Sequence, residues 1–128
     1  MRHDDLYLVD VIESAARVRR MLGKTSVEGF RQDEMVASAV QYHLIVVGEA
    51  CGKLQPETLA RFESLPIQAV RAFRNRLVHG YFSVNLDVVY EVAAVHLPAL
   101  ASHAESALGE LYPETYQKMR ARREAGLL

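Results

Sequence analysis

Cysteine is nearly missing: Cys51 stands alone in 128 residues, which excludes an intramolecular disulfide and any cysteine-rich zinc site. An excess of charge of one sign is missing too. Fifteen basic against sixteen acidic side chains leave a formal net charge of −1. A strongly basic nucleic-acid coat is therefore excluded, while a local basic patch is not. No apolar run approaches the roughly 20 residues that span a bilayer. The opening Met1-Arg2-His3-Asp4-Asp5 lacks the basic-then-apolar order of a secretion signal. These absences set the expectation of a cytoplasmic protein without membrane association. What is present is ordinary for a globular chain: half the residues are hydrophobic and 24% are charged. The length suits one domain over 1–128, without repeats or low-complexity tracts.

The apolar residues recur at helical spacing, and nothing alternates like a strand for long. A first helix is expected from about Asp4 to Leu22, stopped by Gly23 in a left-handed conformation. After a polar stretch, a second runs from roughly Gln32 to Leu54. Pro56 opens a short third helix through about Glu63, and Pro66 opens a fourth from about Leu65 to His79, closed by Gly80. The last long helix starts at Asn85 as N-cap, with Asp87 favouring its positive end. It carries two apolar stripes. One is Leu86, Val89, Ala93, Leu97, Leu100, Ala104, Leu108 and Leu111; the other is Val88, Val92, Val95 and Ala99. Burial on two sides suggests the bundle on one and a second subunit on the other. Pro98 is expected to kink this helix or cost it a hydrogen bond. From about Pro113 the chain is polar and basic, a tail that is helical at best and loosely held. The expected fold is an all-α, up-and-down bundle of four to five helices that pairs as a homodimer.

One stretch breaks the pattern. On a helical wheel Ile67, Val70, Phe73, Leu77 and Val78 form an apolar arc, and Arg74 falls inside it. A guanidinium stripped of water needs an anion or a carboxylate. The structural explanation is an ion pair with a residue such as Glu49, or a stem that snorkels outward. Asn75 and His79 share the polar side of this helix, and His79 sits at its negative end. Arg74 and His79 are five apart, diverging by roughly 140° on a regular helix. They converge only if the helix unwinds at Gly80, or if two copies line one cleft across a two-fold axis. Arg71, Arg74 and Arg76 make the segment cationic, with no acidic residue between Ser64 and Leu86. Such a set suits phosphodiester chemistry on RNA, where the 2′-hydroxyl is the nucleophile. Histidine moves the proton near neutral pH, and arginine's fork holds the phosphate as its charge grows.

The run Arg74-Asn75-Arg76-Leu77-Val78-His79-Gly80-Tyr81 resembles the Arg-x4-His-x-Tyr signature of the HepT-like toxins, a branch of the HEPN superfamily. The opening RHDDLYLVDVIESAARV, the segment AVQYHLIVVGEACGKL and the run RNRLVHGYFSVNLDVVYEV are similar to that family in order and spacing. The resemblance implies a dimeric helical bundle and a metal-independent endoribonuclease needing no cofactor, with tRNA as substrate class. It further implies a toxin silenced by a small nucleotidyltransferase antitoxin, which transfers AMP to the motif tyrosine. Position by position, Arg74 and His79 would be catalytic, Asn75 their polar support and Tyr81 the modified residue. Glu49, Arg71 and Arg76 are candidate supporting residues. His43 stands where relatives often carry Asn, and Ile67 where they often carry Trp; neither touches the motif. The alternative is a non-catalytic module, in which Arg74 holds a phosphate as part of a nucleotidyltransferase scaffold.

The remaining candidates have simpler explanations. His43, on the apolar stripe of the second helix, reads as a hydrogen-bonded core histidine without a second ligand beside it. His96 and His103 are two turns apart, too far for one metal on one helix. Cys51 reads as a small core residue. The basic tail after Lys118 is either a solvated face or a grip on RNA or antitoxin.

Overall fold

The computed structural model describes residues 3–62, 67–80 and 84–126, and all of its regular elements are helical. Helix α1 (Asp4–Leu22) ends as expected at Gly23, whose φ of 51° is the left-handed conformation a glycine adopts cheaply. The polar stretch that follows is not a plain link. Ser26 caps a short α2 (Val27–Gln32) by accepting from the Gly29 amide at 3.1 Å. The chain then breaks at Asp33, whose carboxylate caps α3 (Glu34–Gly52) at the Val36 amide, 3.1 Å away. Pro56 opens α4 (Pro56–Leu59), which tightens into a 3₁₀ turn, Ala60–Phe62. Helix α5 (Ile67–His79) carries the cationic motif.

The last long helix begins where the sequence places it, with the Asn85 side chain accepting from the Asp87 amide at 2.8 Å. It is continuous over 86–111 but not uniform. Helix α6 (Leu86–Glu91) passes into a π-helical turn, Val92–His96, and then into α7 (Leu97–Leu111). The Leu97 amide reaches back five residues to the Val92 carbonyl. Pro98 has no amide to give, and its ring would crowd the carbonyl of Ala94 in a regular helix. The wide turn accommodates that conflict just before the proline, so the expected kink takes the form of one inserted residue.

Four long pieces alternate in direction. Asp4, at the start of α1, accepts from the Gln55 amide at 3.0 Å and from the Thr58 hydroxyl at 2.5 Å, beyond the end of α3. Further along, Ser14 meets His43. Helices α1 and α3 are therefore antiparallel. Helix α5 packs against α3, and α7 against α1. Leu8, Val11, Val18, Val40, Val47 and Leu108 are closed to solvent between them. Each such side chain contributes about 1.5–3 kcal/mol by leaving water. Helix α3 has the length and mean hydropathy of a membrane span, a property the sequence expectation overlooked. Its apolar character serves the bundle instead, since α1, α2 and α5 all pack on it.

The C-terminal segment is docked rather than loose. Helix α8 (Pro113–Glu124) folds back on α7 and buries Met119. Its basic side chains are largely engaged: Arg122 with Glu13 on α1 and Arg123 with Glu105 on α7, both at 3.0 Å. Thr115 donates to Asp5 at 2.6 Å.

Candidate functional site

Helices α3 and α5 approach closely at Gly48. A Cβ built on Gly48 would lie 2.3 Å from Arg74 Cβ, so only glycine admits the arginine stem there. A Cβ on Gly52 would lie 3.7 Å from Arg71 Nε. Gly52 lines the cleft beside it and was not singled out in the sequence.

Arg74 owes its place in the apolar arc to a partner. Its Nη2 donates to Glu49 Oε1, and its Nη1 donates to Asn75 Oδ1 at 2.8 Å. The Nε is closed to solvent and has no hydrogen-bond partner. The side chain keeps a quarter of its surface exposed, at 25%. The guanidinium is thus held on two sides while the side chain stays partly exposed at the cleft. A cleft of about 270 Å³ opens here, lined by Glu49, Gly52, Lys53, Arg71, Arg74 and Asn75. Lys53, which the sequence reading did not single out, joins the cations.

His79 lies elsewhere on the same helix. It is exposed at the end of α5 and lines a second depression, of about 440 Å³, with Asn75, Arg76, Gly80 and Val84. The Gly80 amide donates to the Arg76 carbonyl at 2.7 Å, so the helix does not unwind at that glycine. Within one chain, Arg74 and His79 therefore border two different depressions that share Asn75. Of the two routes to convergence, the one through a second copy remains. Tyr81 lies outside the described residues.

The second apolar stripe of the last helix faces outward in the single chain. Val88 is 41% exposed and Val95 61%. Beside it, an apolar groove of about 310 Å³ runs between α3, α5 and the π turn, past Val47, Phe73, Val92, His96 and Leu100.

The other candidates resolve structurally. His43 Nδ1 lies 3.3 Å from Ser14 Oγ, and burial followed by the charge of Arg17 holds its pKa below the ordinary 6.5. Burial pushes the Cys51 thiol up to about 12, which leaves it without nucleophilic character at neutral pH. His103 Nδ1 faces the Ala99 carbonyl at 2.9 Å, while His96 neighbours Glu91.

Comparison with known proteins agrees with the motif. The family described as Ribonuclease HepT-like matches residues 11–107. A protein of Thermococcus cleftensis named "Probable ribonuclease HepT" is 25% identical over 103 residues, covering 80% of this chain and 93% of its own. A protein of Methanocaldococcus jannaschii named as an RNase is 23% identical over 92 residues, covering 72% of this chain and 76% of its own. Another so named, from Caldanaerobacter subterraneus, is 24% identical over 102 residues, covering 80% and 91%. No solved structure matches the chain at a significant level. With its helical architecture and its Arg74–His79 motif, the chain belongs to the HepT-like ribonuclease family.

Proposed function

We propose that this protein is a metal-independent endoribonuclease, the toxin half of a toxin–antitoxin pair acting in the cytoplasm, with tRNA as its substrate class. The observation that carries it is the tethered Arg74: a partly exposed cation fixed by Glu49 and Asn75 at the edge of a cleft, on the same helix as His79. Cleavage proceeds by attack of the RNA's own 2′-hydroxyl on the adjacent phosphorus, which forms a 2′,3′-cyclic phosphate as the bond to the next nucleotide's 5′-oxygen breaks and that oxygen leaves as a hydroxyl. His79 moves the proton, and Arg74 stabilises the charge that builds on the phosphoryl oxygens. Asn75 holds the guanidinium's orientation.

The active form is a homodimer. A second copy seated on the Val88–Val92–Val95–Ala99 stripe would cover the exposed valines and bring its own α5 alongside. Arg74 of one copy then meets His79 of the other, which one chain alone does not achieve. A cognate minimal nucleotidyltransferase transfers AMP to Tyr81, two residues past His79. The added phosphate competes for Arg74 and blocks RNA by charge and bulk.

Expression alone in bacteria tests the enzyme. Growth arrest and RNA cleavage are expected from the parent and from neither Arg74→Ala nor His79→Ala. Undiminished cleavage by a folded His79→Ala protein would refute the role of His79, whereas a parent that neither arrests growth nor cleaves RNA would favour a phosphate-holding scaffold without chemistry.

A further inference from the structure

Three cations meet on the glycine face of α3, and among the described residues only Arg74 of the three has an ion-pair partner. Arg71 lies one turn earlier on α5, and Lys53 caps the end of α3. Among the described residues neither is paired with a carboxylate; Lys53 Nζ stands 6.0 Å from the centre of the Tyr7 ring. The cleft therefore carries three positive side chains and one negative in a chain whose net charge is −1. Its floor is bare at Gly52, where a Cβ would meet Arg71 Nε in ordinary contact at 3.7 Å. Cations gathered over exposed backbone repel one another, and an anion seated between them relieves that repulsion.

The position relative to the motif narrows the anion. Arg71, Asn75 and His79 follow one another at intervals of four along α5, a track of roughly 12 Å. Asn75 borders both depressions, so the Arg71–Lys53 cleft adjoins the His79 depression. Arg74, which holds the scissile phosphate in the reading above, borders this same cleft. An anion between Arg71 and Lys53 therefore lies beside that phosphate, as the next phosphate of one strand would.

We propose that Arg71 and Lys53 form a subsite for an RNA backbone phosphate flanking the one that is cleaved, a role that rests on the ribonuclease reading above. The subsite positions the strand and takes no part in the chemistry. Removing either cation weakens RNA binding about tenfold, as expected for loss of one charge-assisted contact.

The test is salt-dependent binding of a short fluorescein-labelled oligouridylate to His79→Ala protein, in which the RNA stays intact. Each phosphate contact removed flattens the plot of log affinity against log salt by ~0.7 for a single strand. Arg71→Ala and Lys53→Ala, added singly to that background, are each expected to lose this amount. Arg20→Ala, which removes one charge at the opposite end of α1, is expected to leave the slope unchanged. Thermal melts establish that each variant is folded. Slopes equal to the parent's for both cleft variants would overturn the subsite. So would AMP binding with the same dependence on Arg71, if the oligouridylate then gained nothing over AMP; the cleft would be a mononucleotide site. Failure of the ribonuclease reading is separate, and shows as no RNA cleavage by the parent protein.

Discussion

A methyl group on Gly48 would sit 2.3 Å from Arg74 Cβ and 2.6 Å from its Cγ. The arginine stem occupies the space a side chain on α3 would fill, and this fixes where the guanidinium emerges beside Glu49. Substitution of Gly48 by Ala is expected to push α3 and α5 apart, costing roughly 1–3 kcal/mol as overpacking does. RNA cleavage should fall with it, because the guanidinium moves. Urea unfolding and a cleavage assay measure the two effects, and an unchanged midpoint would contradict the contact.

Arg74→Lys keeps the charge and loses the fork. One ammonium cannot hold Glu49 and Asn75 while offering a planar face to phosphate. Because the native pair is partly exposed, the stability change should stay within about 1 kcal/mol. Cleavage should drop by roughly 100-fold or more, the usual cost of removing a donor aimed at developing charge. A variant with parental kcat would mean that charge alone suffices.

Mixing two inactive proteins tests the shared site. In a heterodimer of Arg74→Ala and His79→Ala chains, one composite site loses both groups and the other keeps both. Subunit exchange should therefore restore up to about half of the parental activity per heterodimer. Val95→Asp, at an exposed position, should leave the helical content intact while turning the dimer into a monomer without cleavage. Light scattering reports the mass. No recovery on mixing would place both groups in one chain.

Tyr81→Phe is expected to leave RNA cleavage within about twofold and to abolish AMP transfer by the partner nucleotidyltransferase, an order-of-magnitude expectation for a group outside the chemistry. Intact-protein mass after co-expression is the readout. AMP addition at the parental level in the Phe variant would move the modified residue elsewhere.

His43 gives a pH dependence with a defined sign. Its folded pKa is lowered by burial and by Arg17, so between that value and 6.5 the unfolded chain holds the proton more tightly. Stability therefore rises with pH across this window and is flat above it. Acidification below pH 6.5 should lower the melting temperature, and His43→Asn should remove part of that slope. Identical slopes in parent and variant would show that other groups govern it.

What was legible in the sequence was largely local. The span of α1, its glycine stop and the Asn85 cap each follow from neighbours within one turn. Arg74 announced its need for a partner by standing among apolar residues, and Glu49 was a candidate. Helix α2 was not legible, because distant residues hold it. Phe30 packs on Tyr90 with ring centres 5.4 Å apart, and Arg31 grips Asp87, 56 positions away, through bonds of 2.6 and 2.9 Å. The docking of α8 escaped for the same reason, since its carboxylate partners lie on α1 and α7. The place of Lys53 depends on the antiparallel pairing of α3 with α5, which spacing within either helix does not encode.

The π turn ahead of Pro98 also acts as a phase adjuster for everything upstream of it. Deleting one residue from 92–96 would restore an ordinary helix and rotate the α6 half by roughly 100°. Asp87 would swing away from Arg31, Tyr90 would lose the Thr25 carbonyl it now reaches at 2.6 Å, and Val88 would turn toward another side of the molecule. The register between the two ends of this helix is thus carried by a single extra residue, and a lineage that lost it would need to rebuild both the α2 clasp and the outward valine face.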